Sequence, residues 1–265
     1  MNKKNFLAII LGTAIFSLIF TACGQDEQDN RAYELYSQAA AAFRQVDSVL
    51  TDSAIMSIIR VIGGDLDGEQ LELLSTSNVA QIINSPTDIY MRIELTTSLD
   101  GVAIPMVSYF RNGIYYVDIQ GEQFSMPIAL EDVLVQTNAT ILEFPQSAII
   151  NQLARETASG AELSFTLNGS QLTNLVDTVA DGILALFGGT LQNADISPSN
   201  IEATISIDES QIPIFTAITL QMTIDYESIT FLVDITAFIE ILQVGNVEFE
   251  FPSELANFPQ LDFGL

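Results

Sequence analysis

The sequence predicts an α+β fold: one antiparallel sheet of roughly ten strands, curled on itself, with helices buried against it. Three observations predict it. Both ends of the chain carry segments in which apolar and polar residues alternate with period two, the mark of strands with one wet face. Turn chemistry separates those segments, most plainly Asn112-Gly113, where both residues tolerate positive φ as a tight hairpin requires. A helical block at 129–188 lies between the two strand-rich blocks with no Pro/Ser-rich linker, so a single sheet built from both is the simplest arrangement.

The elements follow in order. Residues 32–49 have helical spacing, with Ala32, Leu35, Tyr36, Ala39, Phe43 and Val46 on one face. Strands dominate 52–126. Residues 54–62 are apolar on both faces, broken by Ser57 and Arg60, and Asp65-Leu66-Asp67-Gly68 turns the chain. Ile89, Met91, Ile93 and Leu95 alternate with Tyr90, Arg92, Glu94 and Thr96. Asp100-Gly101, Asn112-Gly113 and Gly121-Glu122 are the next turns of an antiparallel meander. A short helix is expected at 130–135 and a clearer one at 146–157, after Pro145. Residues 163–167 read as a strand. Ser170 is placed to cap a helix whose face is Leu172, Leu175, Val176, Val179, Ala180, Ile183, Leu184 and Phe187, with Gly188-Gly189 as its stop. That arc is wide for a surface helix, so burial against the sheet is expected. Alternation returns at 201–207, 218–225, 228–236 and 246–251, with Tyr226-Glu227 as a turn. Pro252 ends the ladder, and the tail should lie along the surface.

The N-terminus has a different logic. Lys3 and Lys4 precede an apolar run at 6–20, and the run ends Phe20-Thr21-Ala22-Cys23-Gly24. A basic start, a short apolar run and a small-residue exit describe an export signal. The run is about 15 residues, short of the roughly 20 that span a bilayer. Cys23 is the only cysteine, so it forms no intramolecular disulfide and is free to accept lipid. The exit resembles the lipobox of bacterial lipoproteins. That resemblance implies cleavage before Cys23, a diacylglyceryl group on it, and anchoring at the outer face of the cytoplasmic membrane. The chain then divides into a signal peptide (1–22), the lipidated cysteine with a polar tether (23–31) and one domain (32–265). The alternative is an ordinary export signal with an incidental cysteine.

Composition excludes several functions. Beyond residue 22 the chain has no lysine and six arginines (Arg31, Arg44, Arg60, Arg92, Arg111 and Arg155) against 34 acidic residues. Nucleic acid and anionic headgroups repel such a chain. There is no histidine and no cysteine stays free after lipidation, so imidazole bases, thiol nucleophiles and Cys/His zinc sites are all excluded. The missing lysines exclude a Ser–Lys dyad, and no phosphate-binding glycine loop occurs. No segment points to a cleft with paired carboxylates, so no catalytic residue, metal or cofactor is expected and the protein is read as a non-enzyme. Asp65-Leu66-Asp67-Gly68-Glu69 begins like a calcium loop but lacks its third ligand position and distant Glu. Arg60 and Arg92, within strands, are each expected to answer a carboxylate on the wet face.

The stretch Tyr109-Phe110-Arg111-Asn112-Gly113-Ile114-Tyr115-Tyr116-Val117-Asp118, then Gly121-Glu122-Gln123-Phe124-Ser125-Met126-Pro127, sits in a chain ordered as lipobox, tether, Ala-rich helix, meander, helices and second meander. This resembles the LolA/LppX-like superfamily of envelope lipoproteins and periplasmic carriers, and is most similar to its uncharacterised Gram-positive lipoprotein branch. The resemblance implies a half-barrel with helices on its concave face and an apolar cavity between them that takes a lipid or other amphiphile. Candidate lining residues are Met56, Ile58, Met91, Ile93, Met106, Tyr115, Val117, Met222, Phe231 and Val233. The same side chains would serve equally well as dry core. Two functions therefore stay open: a membrane-anchored carrier or sensor of a hydrophobic ligand, and a non-enzymatic envelope scaffold that recognises a protein or wall polymer without a pocket.

Overall fold

The computed structural model describes residues 30–85, 88–128 and 144–261. The expected export signal, Cys23, most of the expected tether and the helix expected at 130–135 lie outside the described residues. Among the described residues there are two α-helices and one sheet of twelve strands. The helices are α1 (Arg31–Phe43) and α2 (Thr173–Leu186). The strands of the first block are β1 (Ser48–Ile62), β2 (Gln70–Ser85), β3 (Asp88–Leu99), β4 (Val102–Arg111), β5 (Ile114–Ile119) and β6 (Glu122–Pro127). Those of the second are β7 (Ile149–Thr157), β8 (Gly160–Leu167), β9 (Ala194–Pro198), β10 (Ile201–Asp208), β11 (Pro213–Tyr226) and β12 (Ile229–Val244).

The order across the sheet is β6-β5-β4-β3-β2-β1-β12-β11-β10-β8-β7, with β9 paired to the far half of β11. Every strand pairing is antiparallel. The two meanders meet where β1 pairs with β12 along nearly its full length, from Val49↔Val244 to Ile62↔Thr230. Residues more than 160 positions apart thus join the two halves into one sheet. Positive φ at Asn112 (55°) and Gly113 (74°) makes the expected tight hairpin, and Asp100 (49°) and Gly101 (80°) repeat it. At Gly160 (φ +140°) a Cβ would sit 2.0 Å from the Ile207 carbonyl oxygen, so glycine permits the close start of β8 against β10.

Both helices pack on one side of the sheet, here termed inner. The main core joins Ala32, Tyr36, Ala39 and Ala40 of α1 and Val179, Ala180, Ile183 and Leu184 of α2 to the inner residues of β8, β10, β11, β12 and β1. An aromatic group of Tyr36, Phe144 and Phe165 sits inside it, with Tyr36 and Phe144 stacked at 4.6 Å. Gly188 (φ +78°) stops α2, its N–H and that of Gly189 reaching Ala185 and Leu184 carbonyls.

Several expectations are corrected. Residues 146–157 form no helix: only 146–148 make a short 3₁₀ turn, and β7 follows as an edge strand paired to β8. β-Branched Ile149, Ile150 and Thr157, with an unpaired β8 ladder to fill, outweigh the helical spacing. Residues 246–252 form no strand; they leave β12 after Gly245 and cross the outer face. Ser170 does not cap α2: Asn168, whose side chain accepts from the Ser170 N–H (3.1 Å) and hydroxyl (2.7 Å), caps a short 3₁₀ turn at 169–171, and α2 follows Leu172 without a side-chain cap. The turns at 121–122 and 226–227 each shift by one residue, to Gln120-Gly121 and Glu227-Ser228. Helix α1 stops at Phe43, before Val46.

The C-terminal tail covers the outer face of β3–β5. Phe251 meets Tyr90 edge-on (5.6 Å) and lies near Tyr109 (6.0 Å), while the Arg111 guanidinium sits 5.2 Å from the Phe251 ring centre. Phe258 packs edge-on against Tyr116. The tail then pairs with the edge strand β6, where the Ser125 N–H donates to the Pro259 carbonyl and the Leu261 N–H to the Ser125 carbonyl, each at 2.8 Å. An edge that would otherwise present free backbone groups is thereby occupied.

Candidate functional site

The two helices pack against only part of the inner face, yet the inner side chains of β3–β5 are buried as well, with Met91, Met106 and Val117 each 5% exposed or less. Helix α2 reaches as far as Leu73 on β2, through Leu186. Past that point the inner side chains of β3–β6 form apolar clusters separate from the main core. One is Leu95, Ile104, Met106, Val117 and Ile119; the other is Ile89, Met91 and Phe110, and Ile93 and Tyr115 adjoin both. Antiparallel register brings them together: Leu95 lies opposite Met106, Met91 opposite Phe110, Met106 opposite Ile119 and Phe110 opposite Tyr115.

Between the two apolar regions runs a belt of small hydroxyl side chains on β1, β2 and β3. Inward positions of β1 hold Thr51, Ser53 and Ser57, those of β2 hold Ser75 and Ser77, and Thr97 follows on β3, all buried. Ser53 and Ser77, directly opposite, share a hydrogen bond of 2.8 Å, and Ser75 and Thr97 one of 3.3 Å. Ser57, 2% exposed and set between Leu73 and Ile235, is the exception: its hydroxyl has no partner. Further along, the buried Ser108 hydroxyl bonds the Tyr115 hydroxyl at 2.7 Å. Burial pushes the Tyr115 phenol above its ordinary 10.0, and the bond to Ser108 partly offsets this, so the group is neutral at physiological pH.

The ten candidate lining residues are not brought together. Met91, Ile93, Met106, Tyr115 and Val117 share the clusters on β3–β5. Met222, Phe231 and Val233 lie in the main core beneath the helices. Met56 and Ile58 point to the opposite, outer face, where Met56 is 46% exposed and Ile58 half-buried, so neither lines the inner side. The reason is visible in β1, where residues 54–62 are apolar on both faces and alternation could not choose a side. The hydroxyl belt was missed. Its signal was present as Ser53-x-Ile55-x-Ser57 and Ser75-x-Ser77, serines at even spacing and therefore on one otherwise apolar face.

Elsewhere the charged residues serve local structure. Arg60 bonds Asp234 at 2.6 Å, and Arg92 pairs with Glu94, both on the outer face as expected. Asp67 in the acidic turn accepts from the Gly63 N–H at 2.7 Å. No group of three metal-ligating side chains converges among the described residues, and no described helix is long and apolar enough to cross a membrane.

No protein-family model matches the chain, and no curated protein does. Among solved structures the chain is similar to LprF from Mycobacterium bovis (11% identity, 86% of this chain and 99% of that one, TM-score 0.40). It is also similar to the ywiB protein from Bacillus subtilis (10% identity, 74% and 94% covered, TM-score 0.20). A third is a beta-barrel-like protein of a domain of unknown function, DUF1849, from Brucella abortus (7% identity, 75% and 100% covered, TM-score 0.19). The likeness is distant in every case.

Proposed function

We propose that this protein is a non-enzymatic lipoprotein of the bacterial envelope. In this reading it is anchored through lipid on Cys23 and holds a hydrophobic ligand against the inner face of β3–β5. In this reading the sheet is a half-barrel with its helices on the concave side, and the ligand enters the buried apolar clusters of β3–β5, which lie apart from the core under α1 and α2, by parting their side chains. The observation that carries the reading is the separation of two apolar surfaces on one face of one sheet. A protein that only needed a dry core would merge them, whereas here a belt of small hydroxyls divides them. An apolar floor with a few polar groups at its margin is the usual construction of a site for small apolar ligands. The hydrocarbon part lies along Met91, Ile93, Met106 and Val117, and a polar head meets the hydroxyls of β1 and β2. Methionine at two of these positions suits a tail of variable shape. Anchoring rests on the lipobox and the single cysteine.

A fatty acid carrying a diazirine near the end of its tail tests the site. Irradiation of the purified protein should label peptides of β3–β5, and unlabelled fatty acid should compete. Absence of saturable labelling would refute the ligand site and favour the scaffold reading.

A further inference from the structure

The outer face carries a concavity that the inner-face reading does not use. An open groove of about 430 Å³ crosses the middle of the sheet, lined by side chains from β1, β2, β3, β11 and β12. Its floor is two adjacent cross-strand rows fixed by register. One row reads Phe215, Glu240, Asp52, Asn78, Glu94, and the next Ala217, Phe238, Ala54, Thr76, Thr96. Phe215 and Phe238 stack at 6.2 Å, and Phe238 remains 43% exposed, a large ring held at the mouth of a groove with its surface uncovered.

The first row contains a conflict. Asp52 and Glu240 are direct cross-strand partners on one face. Like charges placed this way repel and weaken the pairing. Asn78 donates to Asp52 at 2.7 Å, and Arg92 answers Glu94, yet neither contact supplies a cation between Asp52 and Glu240. The acids do not converge as a metal site would require. What fits two opposed carboxylates beside an aromatic pair is a diffuse positive charge with an apolar body. Carboxylates attract the charge, ring faces attract it further, and the rings shelter the apolar part.

We propose that this groove binds a small organic cation, a substituted ammonium, with its charge between Asp52 and Glu240 and its apolar part on Phe215 and Phe238. The volume falls within the range of small-molecule sites. The site stands apart from the inner face, on the other side of the sheet, and does not depend on the fatty-acid reading.

The test titrates benzyltrimethylammonium into the purified full chain by calorimetry, with benzyl alcohol as the neutral analogue and calcium chloride as the metal control. Saturable binding is expected for the cation and none for the alcohol. Glu240→Gln and Asp52→Asn should each weaken it roughly tenfold, as loss of a charge-assisted contact does. Phe238→Ser should weaken it by a similar factor, and added salt should weaken it further. All three positions are partly or wholly exposed, so the variants keep the fold, which far-UV circular dichroism checks. Equal affinity for benzyl alcohol, indifference to the carboxylate variants, displacement by stoichiometric calcium, or no binding at millimolar cation would each overturn the proposal.

Discussion

Replacing Ser57 by alanine should stabilise the protein, which is the reverse of what most buried substitutions do. The Ser57 hydroxyl is buried between Leu73 and Ile235 with no partner. Taking a hydroxyl out of water without replacing its hydrogen bond costs about 1–3 kcal/mol. Alanine removes that cost and only one heavy atom, so the cavity it leaves is small. The net gain should be about 1 kcal/mol, or about 2–4 °C in Tm for a domain of this size. Ser53→Ala is the matched control. Ser53 is bonded to Ser77 at 2.8 Å, so its loss strands the Ser77 hydroxyl and should cost about 1 kcal/mol or more. Urea denaturation of the two variants beside the parent reads both signs at once. The same Ser57→Ala protein should bind a fatty acid more weakly, because the free hydroxyl is the group placed to meet a polar head. A Ser57→Ala protein less stable than the parent by 1 kcal/mol or more would refute the reasoning, since it would show that the hydroxyl is satisfied.

Three further outcomes follow from the fold and the N-terminus. Phe165→Ala should destabilise by about 3–5 kcal/mol in urea melts, because Phe165 is buried against Tyr36 and Phe144 in the main core. Tyr115 holds its proton more tightly folded than unfolded, so its contribution is full below pH 10 and is lost as the pH rises through the higher native value. Urea midpoints taken at pH 8 and pH 11 should therefore fall less for Tyr115→Phe than for the parent, and at pH 8 the variant should be weaker by about 1 kcal/mol through the lost bond to Ser108. Cys23→Ser should abolish incorporation of labelled palmitate in a bacterial host; an unchanged label would contradict the anchoring claim.

The strands were legible because alternation and turn chemistry are local. Ile201, Ala203, Ile205 and Ile207 are all buried on one face, and Asn112-Gly113 turns where its residue types require. What was not legible is non-local. Residues 146–157 carry helical spacing, yet after a 3₁₀ turn at 146–148 they form β7, because β8 offers an unpaired edge that only tertiary structure supplies. Residues 246–251 alternate like a strand but join no ladder; Phe251 instead meets the outer Tyr90 and Tyr109, and Phe249 packs on Phe251. The candidate site divided on the same ground. Period two put Met91 and Met106 on one face of the sheet, in neighbouring clusters, whereas residues 54–62, apolar on both sides, hid which way Met56 faced. The hydroxyl belt depends on the β1–β2 register, which sets Ser53 against Ser77. No single segment displays it.

Native mass spectrometry of the purified protein mixed with a long-chain fatty acid tests the central claim most directly. One bound molecule per chain is expected, displaced by a competing fatty acid and weakened several-fold in Met106→Trp, where the larger side chain intrudes on the apolar floor. A chain that stays empty at fatty acid concentrations well above the micromolar range, or that binds equally well with Trp at 106, would contradict a ligand site on the inner face of β3–β5.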